Sequence, residues 1–292
     1  MTARRRLVKV PASSANLGPG YDVLAAALAM HLELEVEEVG TFSVEANGLG
    51  VPLDRSNLCV RAFQALRPAD GIAFRIKSEI PLAAGLGSSA AAIVAGLLAA
   101  DHLYELAHET ADVLVKAAEL EGHPDNVAAA LYGGFVICAE DGSGVTATRL
   151  DPPQGVEGVV VIPGEQVPTE EAREAIPEQV PLTDAVANIS AASELVLGIQ
   201  RSDLTLIGRG LSDRLHQPHR AHLYPRSMEI VQEAPRMGAI GATISGAGPS
   251  VLVWTFWQST GEVMKKLTQR VGDWAEVRRV PFSPIGADVP EL

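Results

Sequence analysis

Cysteine is scarce in this chain: Cys59 and Cys138 are the two in 292 residues, each among apolar neighbours. That is too few for a disulfide framework and the wrong spacing for a metal site, so both read as buried thiols of a reducing compartment. Aromatic residues make up 4% of the chain, too few for a surface on which nucleobases stack. Basic runs are scarce too: Arg4, Arg5 and Arg6 form the one cluster, and the net charge is −13. A generic nucleic-acid binder carries a basic stripe, so that class is set aside. The most apolar run, Ala90 to Ala100, is about half the length of a membrane span. Behind the N-terminal arginines, Lys9, Pro11 and Ser13 interrupt what would be the apolar core of a secretory signal. The expectation is a cytoplasmic protein with no nucleic-acid and no membrane partner.

What is present describes a folded protein, 47% hydrophobic and 20% charged, long enough for one large domain or two ordinary ones. Leu32, Leu34 and Val36 alternate with Glu33, Glu35 and Glu37, the period of a strand with one wet face. Phe42 to Ala46 and Ile72 to Lys77 read similarly. An apolar helix is expected over Val23 to Met30, an alanine-rich one from a Ser88 or Ser89 cap to about Tyr104, and a third over Glu109 to Glu121. Gly133-Gly134 turns the chain into a strand, Phe135 to Ala139. Asp141 to Gln154, rich in glycine and proline, reads as a boundary or a hairpin. Beyond it come a strand (Val159 to Ile162), helices over Leu182 to Ile199, Leu204 to Leu211 and Met228 to Ala234, and a strand, Val251 to Phe256. The mixed order predicts an α+β fold in two lobes, divided at 1–152 and 153–292.

Three glycine-rich loops punctuate this order. Pro81 to Ala92 is Pro-Leu-Ala-Ala-Gly-Leu-Gly-Ser-Ser-Ala-Ala-Ala. Gly85 and Gly87 let backbone amides approach an anion, and the helix opening at Ser88-Ser89 adds its partial positive end. In an acidic protein, such amides supply the local positive potential that a phosphate group needs. It is no Walker loop, which requires lysine, and no dinucleotide fingerprint, which requires a third glycine. Taken alone it also reads as a capped glycine turn. The second loop, Pro11 to Asp22, crowds small polar residues with Gly18 and Gly20. Asp22 there reads equally as a helix cap, and Asn16 as a turn residue. The third, Gly241 to Ser250, is Gly-Ala-Thr-Ile-Ser-Gly-Ala-Gly-Pro-Ser.

Together, in this order, the three loops resemble the motifs of the GHMP kinases, a family of ATP-dependent small-molecule kinases. Pro-x-x-x-Gly-Leu-Gly-Ser-Ser-Ala matches the family's ATP loop. Within the family, Pro11 to Asp22, Glu121 to Val127 and Asp213 to Arg220 are most similar to the branch that phosphorylates the hydroxyl of L-homoserine, with Ser13 for threonine and Tyr21 for phenylalanine. The resemblance implies a two-lobed α+β fold, with an N-terminal ribosomal-protein-like domain and a C-terminal ferredoxin-like sandwich. It also implies ATP and Mg²⁺, a role in threonine biosynthesis and commonly a homodimer.

Residue by residue, the resemblance gives Pro81, Leu82, Ala83, Ala84, Gly85, Leu86, Gly87, Ser88, Ser89, Ala90 and Ala91 to the nucleotide. It gives Mg²⁺ to Ser89, over Ser88, and to Glu121, with Glu119 as a second candidate. Asn126 orients the substrate hydroxyl and His123 lines the site. Asp125 stands where mevalonate kinase-like members keep a general base, a role the homoserine branch is thought to do without. Homoserine is a zwitterion: Asp22 and Asn16 match the partners of its ammonium group, while Thr169, Arg173 and Arg220 match the carboxylate end. Guanidinium suits a carboxylate because its fork pairs both oxygens. Without the family, Arg173 reads as a wet helix face among Glu170, Glu171 and Glu174. Two other readings stay open: a different GHMP kinase such as mevalonate kinase, and a non-catalytic, ligand-binding member of the fold.

Overall fold

A computed structural model describes residues 4–142 and 144–290. In chain order the first part holds β1 (Arg5–Ala15), β2 (Leu24–Glu38), β3 (Ser43–Glu45), α1 (Leu58–Gln64), β4 (Ile72–Ser78), α2 (Ser88–Leu103), α3 (Thr110–Glu121), α4 (Asp125–Tyr132), β5 (Phe135–Asp141) and β6 (Gly144–Leu150). The second part holds β7 (Val156–Pro163), α5 (Thr169–Glu174), α6 (Leu182–Arg201), α7 (Leu204–Gly210), α8 (Gln217–Arg220), a 3₁₀ turn at Ala221–Leu223, α9 (Pro225–Met237), β8 (Gly241–Ile244), β9 (Val251–Phe256), α10 (Thr260–Val271) and β10 (Ala275–Arg279). This is a two-lobed α+β arrangement.

The first lobe is a six-stranded sheet in the order β3-β4-β2-β5-β6, with β1 also paired to β2. The long β2 changes partner along its length: Leu24 to Ala26 face β5, while Leu32 to Glu38 face β4. β1 runs antiparallel beside it throughout, with a bulge at Pro11/Ala12. This overturns the helix expected over Val23 to Met30. Leu24 to Leu28 are all buried, so this half of the strand shows no wet face and no alternation. A continuous apolar run reads alike as buried strand or buried helix. α2 and α4 cover the sheet; Ala90, Ala91, Val94, Leu97 and Ala128 to Ala130 are sealed in the main core.

In the second lobe, a four-stranded antiparallel sheet has the order β10-β7-β9-β8. Strand alternation splits β7 between two cores. Val159 and Val161 meet Ile230 and Ala234 of α9 and Val263 and Leu267 of α10, whereas Val160 and Ile162 join the first lobe's core with Leu252 and Trp254. Trp254, fully buried, stacks on Phe135 at 5.6 Å and on Phe282 at 5.0 Å between ring centroids. The chain after β10 returns to the first sheet, where Leu28 pairs with Phe282 and Lys9 with Asp288. The two lobes therefore share one apolar centre, and the cleft between them is fixed by packing.

Candidate active site

The three loops converge. The first joins β1 to β2, the second joins β4 to α2, and the third, reduced to Ser245–Ser250, joins β8 to β9. Gly241 to Ile244, expected as loop, is strand β8, because Ala242 to Ile244 pair with β9 and are buried. Ser13 N–H donates to Leu86 O at 3.1 Å and Gly246 N–H to Ala15 O at 3.1 Å. The Ser245 hydroxyl donates to Gly85 O at 2.6 Å and lies 2.8 Å from the Ser14 hydroxyl. One serine thus touches all three loops.

α2 begins differently from expectation. Its cap is Gly87, left-handed at φ 70, and Ser88 is already helical. A left-handed cap leaves Ser89 in the first turn with its hydroxyl free to turn away from the helix. It donates to Glu121 Oε1 at 2.5 Å, bringing together the two residues expected to hold a metal. Burial raises the Glu121 carboxyl above its usual range; the Ser89 bond and the His123 charge pull the other way without reversing it. Glu119 is exposed and paired with Lys116 at 3.8 Å, outside the cavity.

α3 ends on Gly122, left-handed at φ 90, and α4 starts at Asp125. This short helix is absent from the sequence reading, although Pro124 followed by an acid and an alanine run is a helix-start signal. It places Asp125 and Asn126 at the cavity. Asp125, 1% exposed, accepts from His123 Nδ1 at 2.9 Å and from the Asn126 amide at 2.7 Å. Burial disfavours the charged imidazole of His123, but the bond and charge of Asp125, with the charge of Glu121, outweigh it and raise its pKa above 6.5. Asn126 Oδ1 accepts from the Ser13 hydroxyl at 2.8 Å.

On the opposite wall, Asp22 caps no helix. Its backbone is left-handed at φ 55, and its N–H donates to Asn16 Oδ1 at 3.0 Å. Asn16 in turn donates to Gly246 O at 2.9 Å. Arg173 is no wet helix face: Nη2 donates to Asp22 Oδ1 at 2.9 Å and Nη1 to Asp22 Oδ2 at 3.0 Å. Arg220 is 1% exposed. Its Nε donates to Ala172 O at 2.6 Å, and Nη1 donates to His216 Nδ1 at 3.3 Å and Gly246 O at 3.4 Å. Thr169 opens α5 and is exposed.

One cavity of about 430 Å³ gathers most of these groups. Its lining includes Pro81 to Ser89, then Glu121, His123, Asp125 and Asn126, and also Asn16, Asp22, Thr169, Arg173 and Arg220. Ala90 and Ala91 face the core instead. Leu49, Val51, Asn57, Leu58 and Ile76 also line it, mostly apolar residues that the sequence alone does not single out. They come from three separate segments, and no local pattern joins them.

Two stretches match family models: residues 57–134 the GHMP kinases N terminal domain and residues 195–271 the GHMP kinases C terminal domain. The chain belongs to the GHMP kinase family, ATP-dependent kinases of small molecules. Within it the chain falls in the homoserine kinase branch. It is 40% identical over 256 residues to the homoserine kinase of Moorella thermoacetica, covering 85% of this chain and 86% of that protein. It is 41% identical over 247 residues to that of Thermus thermophilus, covering 83% and 84%. The crystal structure of the Cytophaga hutchinsonii homoserine kinase superposes with a TM-score of 0.88 at 28% identity, over 98% of each chain. An L. major mevalonate kinase shares the fold, at TM-score 0.73 and 19% identity.

Proposed function

We propose that the enzyme transfers the γ-phosphoryl group of ATP to the side-chain hydroxyl of L-homoserine, giving O-phospho-L-homoserine in threonine biosynthesis. The observation that carries this is one cavity lined both by the glycine loop Pro81 to Ser89 and by an acid and a guanidinium, Asp22 and Arg173, the complement of a zwitterion. The apolar residues Leu49, Val51 and Ile76 receive the base. The Gly85–Gly87 loop and the first-turn amides of α2 receive the phosphates. Asp22 takes the ammonium group and Arg173 the carboxylate. Arg220, held by backbone carbonyls, adds positive charge behind them.

Mg²⁺ fits the Ser89–Glu121 pair, which offers hard oxygen donors and a desolvated carboxylate. Among the described residues no cluster of three or more acidic, histidine or cysteine side chains could hold a metal by itself, so phosphate oxygens and water complete the set. Held by Ser89 and Glu121, Mg²⁺ would supply positive charge to offset that of the phosphate oxygens. Asn126 orients the homoserine hydroxyl. Asp125, bonded to His123 and to the Asn126 amide, holds that orientation. In a loose transition state the alcohol loses its proton late, so positioning matters more than a base. The fold is divided into lobes near residue 152, with this cavity between them.

We place the enzyme in the cytoplasm as a homodimer. Support for the dimer is α6, whose exposed face carries Leu182, Val186, Ile189 and Leu197. The acids beside that stripe, Asp184 and Glu194, are tied to Arg214 and Arg209 of the same chain, and Ser193, between Ile189 and Leu197, spends its hydroxyl on Ile189 O, so a largely apolar strip remains for a second copy. Ile189→Glu should convert a dimer to a monomer in sedimentation equilibrium. The activity is tested by following ATP-to-ADP turnover with homoserine, mevalonate, galactose and threonine. Homoserine should stimulate it far more than the others, and stimulation by mevalonate alone would move the chain to another specificity.

A further inference from the structure

In this structure the two charges that are to recognise opposite ends of the substrate neutralise each other. Arg173 and Asp22 form a two-bond ion pair, with side chains 37% and 34% exposed. A zwitterion entering the site replaces both halves of that pair at once: its ammonium takes Asp22 and its carboxylate takes Arg173. At that moment Arg173 loses the contacts that aim its guanidinium. Asp22 does not share the difficulty, because its backbone is tied through Asn16 to Gly246.

One further bond to Arg173 does not involve Asp22. Nη1 also donates to the Tyr21 hydroxyl at 3.0 Å. The Tyr21 ring is itself fixed, 5.5 Å from the His216 ring between centroids, and the Arg173 and Arg220 guanidinium carbons stand 5.8 Å and 5.4 Å from its centroid. α5 carries Arg173 on six residues only, so the helix itself aims the side chain poorly. We infer that Tyr21 is a positioning residue, whose hydroxyl holds Arg173 in place while Asp22 passes from the arginine to the substrate's ammonium group. Burial raises the Tyr21 phenol above its ordinary value, so it meets the arginine as a hydroxyl.

The assignment rests on the proposed homoserine activity, and its test separates the two. Tyr21→Phe removes the hydroxyl and keeps the ring. It should raise KM for homoserine about tenfold, the scale of one hydrogen bond to a charged group, with kcat and the KM for ATP within about twofold. In the Arg173→Ala background the same change should leave kcat/KM for homoserine where it was, since Tyr21 acts through that arginine. An unchanged homoserine KM in the single variant overturns the assignment. So does a loss in the double variant as large as in the single one, which would mark a general packing role. Wild-type enzyme that fails to turn over homoserine at all strikes at the function itself and takes the assignment with it.

Discussion

A Cβ on Gly85 would stand 2.2 Å from the carbonyl oxygen of Ser245, so the loop between β4 and α2 touches the third loop's backbone only because residue 85 is glycine. Its φ of +75 adds a second demand that alanine meets poorly. Gly85→Ala should therefore cost about 2–4 kcal/mol of stability through backbone strain and overpacking, and raise the KM for ATP. Urea denaturation and steady-state kinetics check both. A variant with wild-type midpoint and wild-type ATP KM would show that the loops are not locked together.

Glu121 and Glu119 sit two residues apart, yet one faces Ser89 in the cavity and the other faces solvent beside Lys116. Glu121→Gln should lower kcat by about 10²–10³-fold and raise the Mg²⁺ concentration needed for half-maximal rate. Glu119→Gln should leave both within about twofold. Equal losses from the two variants, in a magnesium titration of turnover, would remove the metal from Ser89 and Glu121.

His216 supplies a pH test. Its Nε2 contacts Gly18 O at 2.8 Å and its Nδ1 accepts from Arg220, so both ring nitrogens are used by the neutral ring. Burial lowers its pKa below 6.5, with the Asp213 charge opposing and Arg220 adding to the shift. A histidine with a depressed folded-state pKa contributes stability that is present above pH 6.5 and lost as pH falls through the folded value. The gap in urea midpoint between wild type and His216→Gln should narrow from pH 7.5 to pH 5.5. A gap that stays constant contradicts a neutral, buried His216.

The sequence made the fold's punctuation legible where chemistry is local. The loop at Gly85–Gly87, the helix stop at Gly122 and the turn at Gly133–Gly134 all fall where glycine demands them. It misled at Val23 to Met30, where burial of both faces of β2 over Leu24 to Leu28 removed the alternation that marks a strand. The helix α1 escaped notice because seven residues carry too few turns for a period to show. In the site, Ser89, Glu121, Asn126, Asp22 and Arg173 were legible through motif order. Their mutual contacts were not: that Asp22 would bond Arg173, 151 residues away, or that Tyr21 would share the same guanidinium, depends on how the lobes pack.

Asp125 is bonded to His123 Nδ1 at 2.9 Å and accepts from the Asn126 backbone N–H at 2.7 Å, and its charge raises the His123 pKa. A carboxylate so engaged orients its neighbours. Asp125→Asn should lower kcat no more than about tenfold, in line with a loose transition state that needs no base. A loss of several orders of magnitude in single-turnover measurements would restore Asp125 as the proton acceptor.

The most direct measurement is the phosphorus spectrum of the product. With ATP, Mg²⁺ and L-homoserine, ³¹P NMR should show the γ-phosphate signal replaced by a phosphomonoester resonance coupled to the two protons of the adjacent methylene, in step with ADP. Release of inorganic phosphate alone, or no consumption of ATP when homoserine is added, would contradict the account.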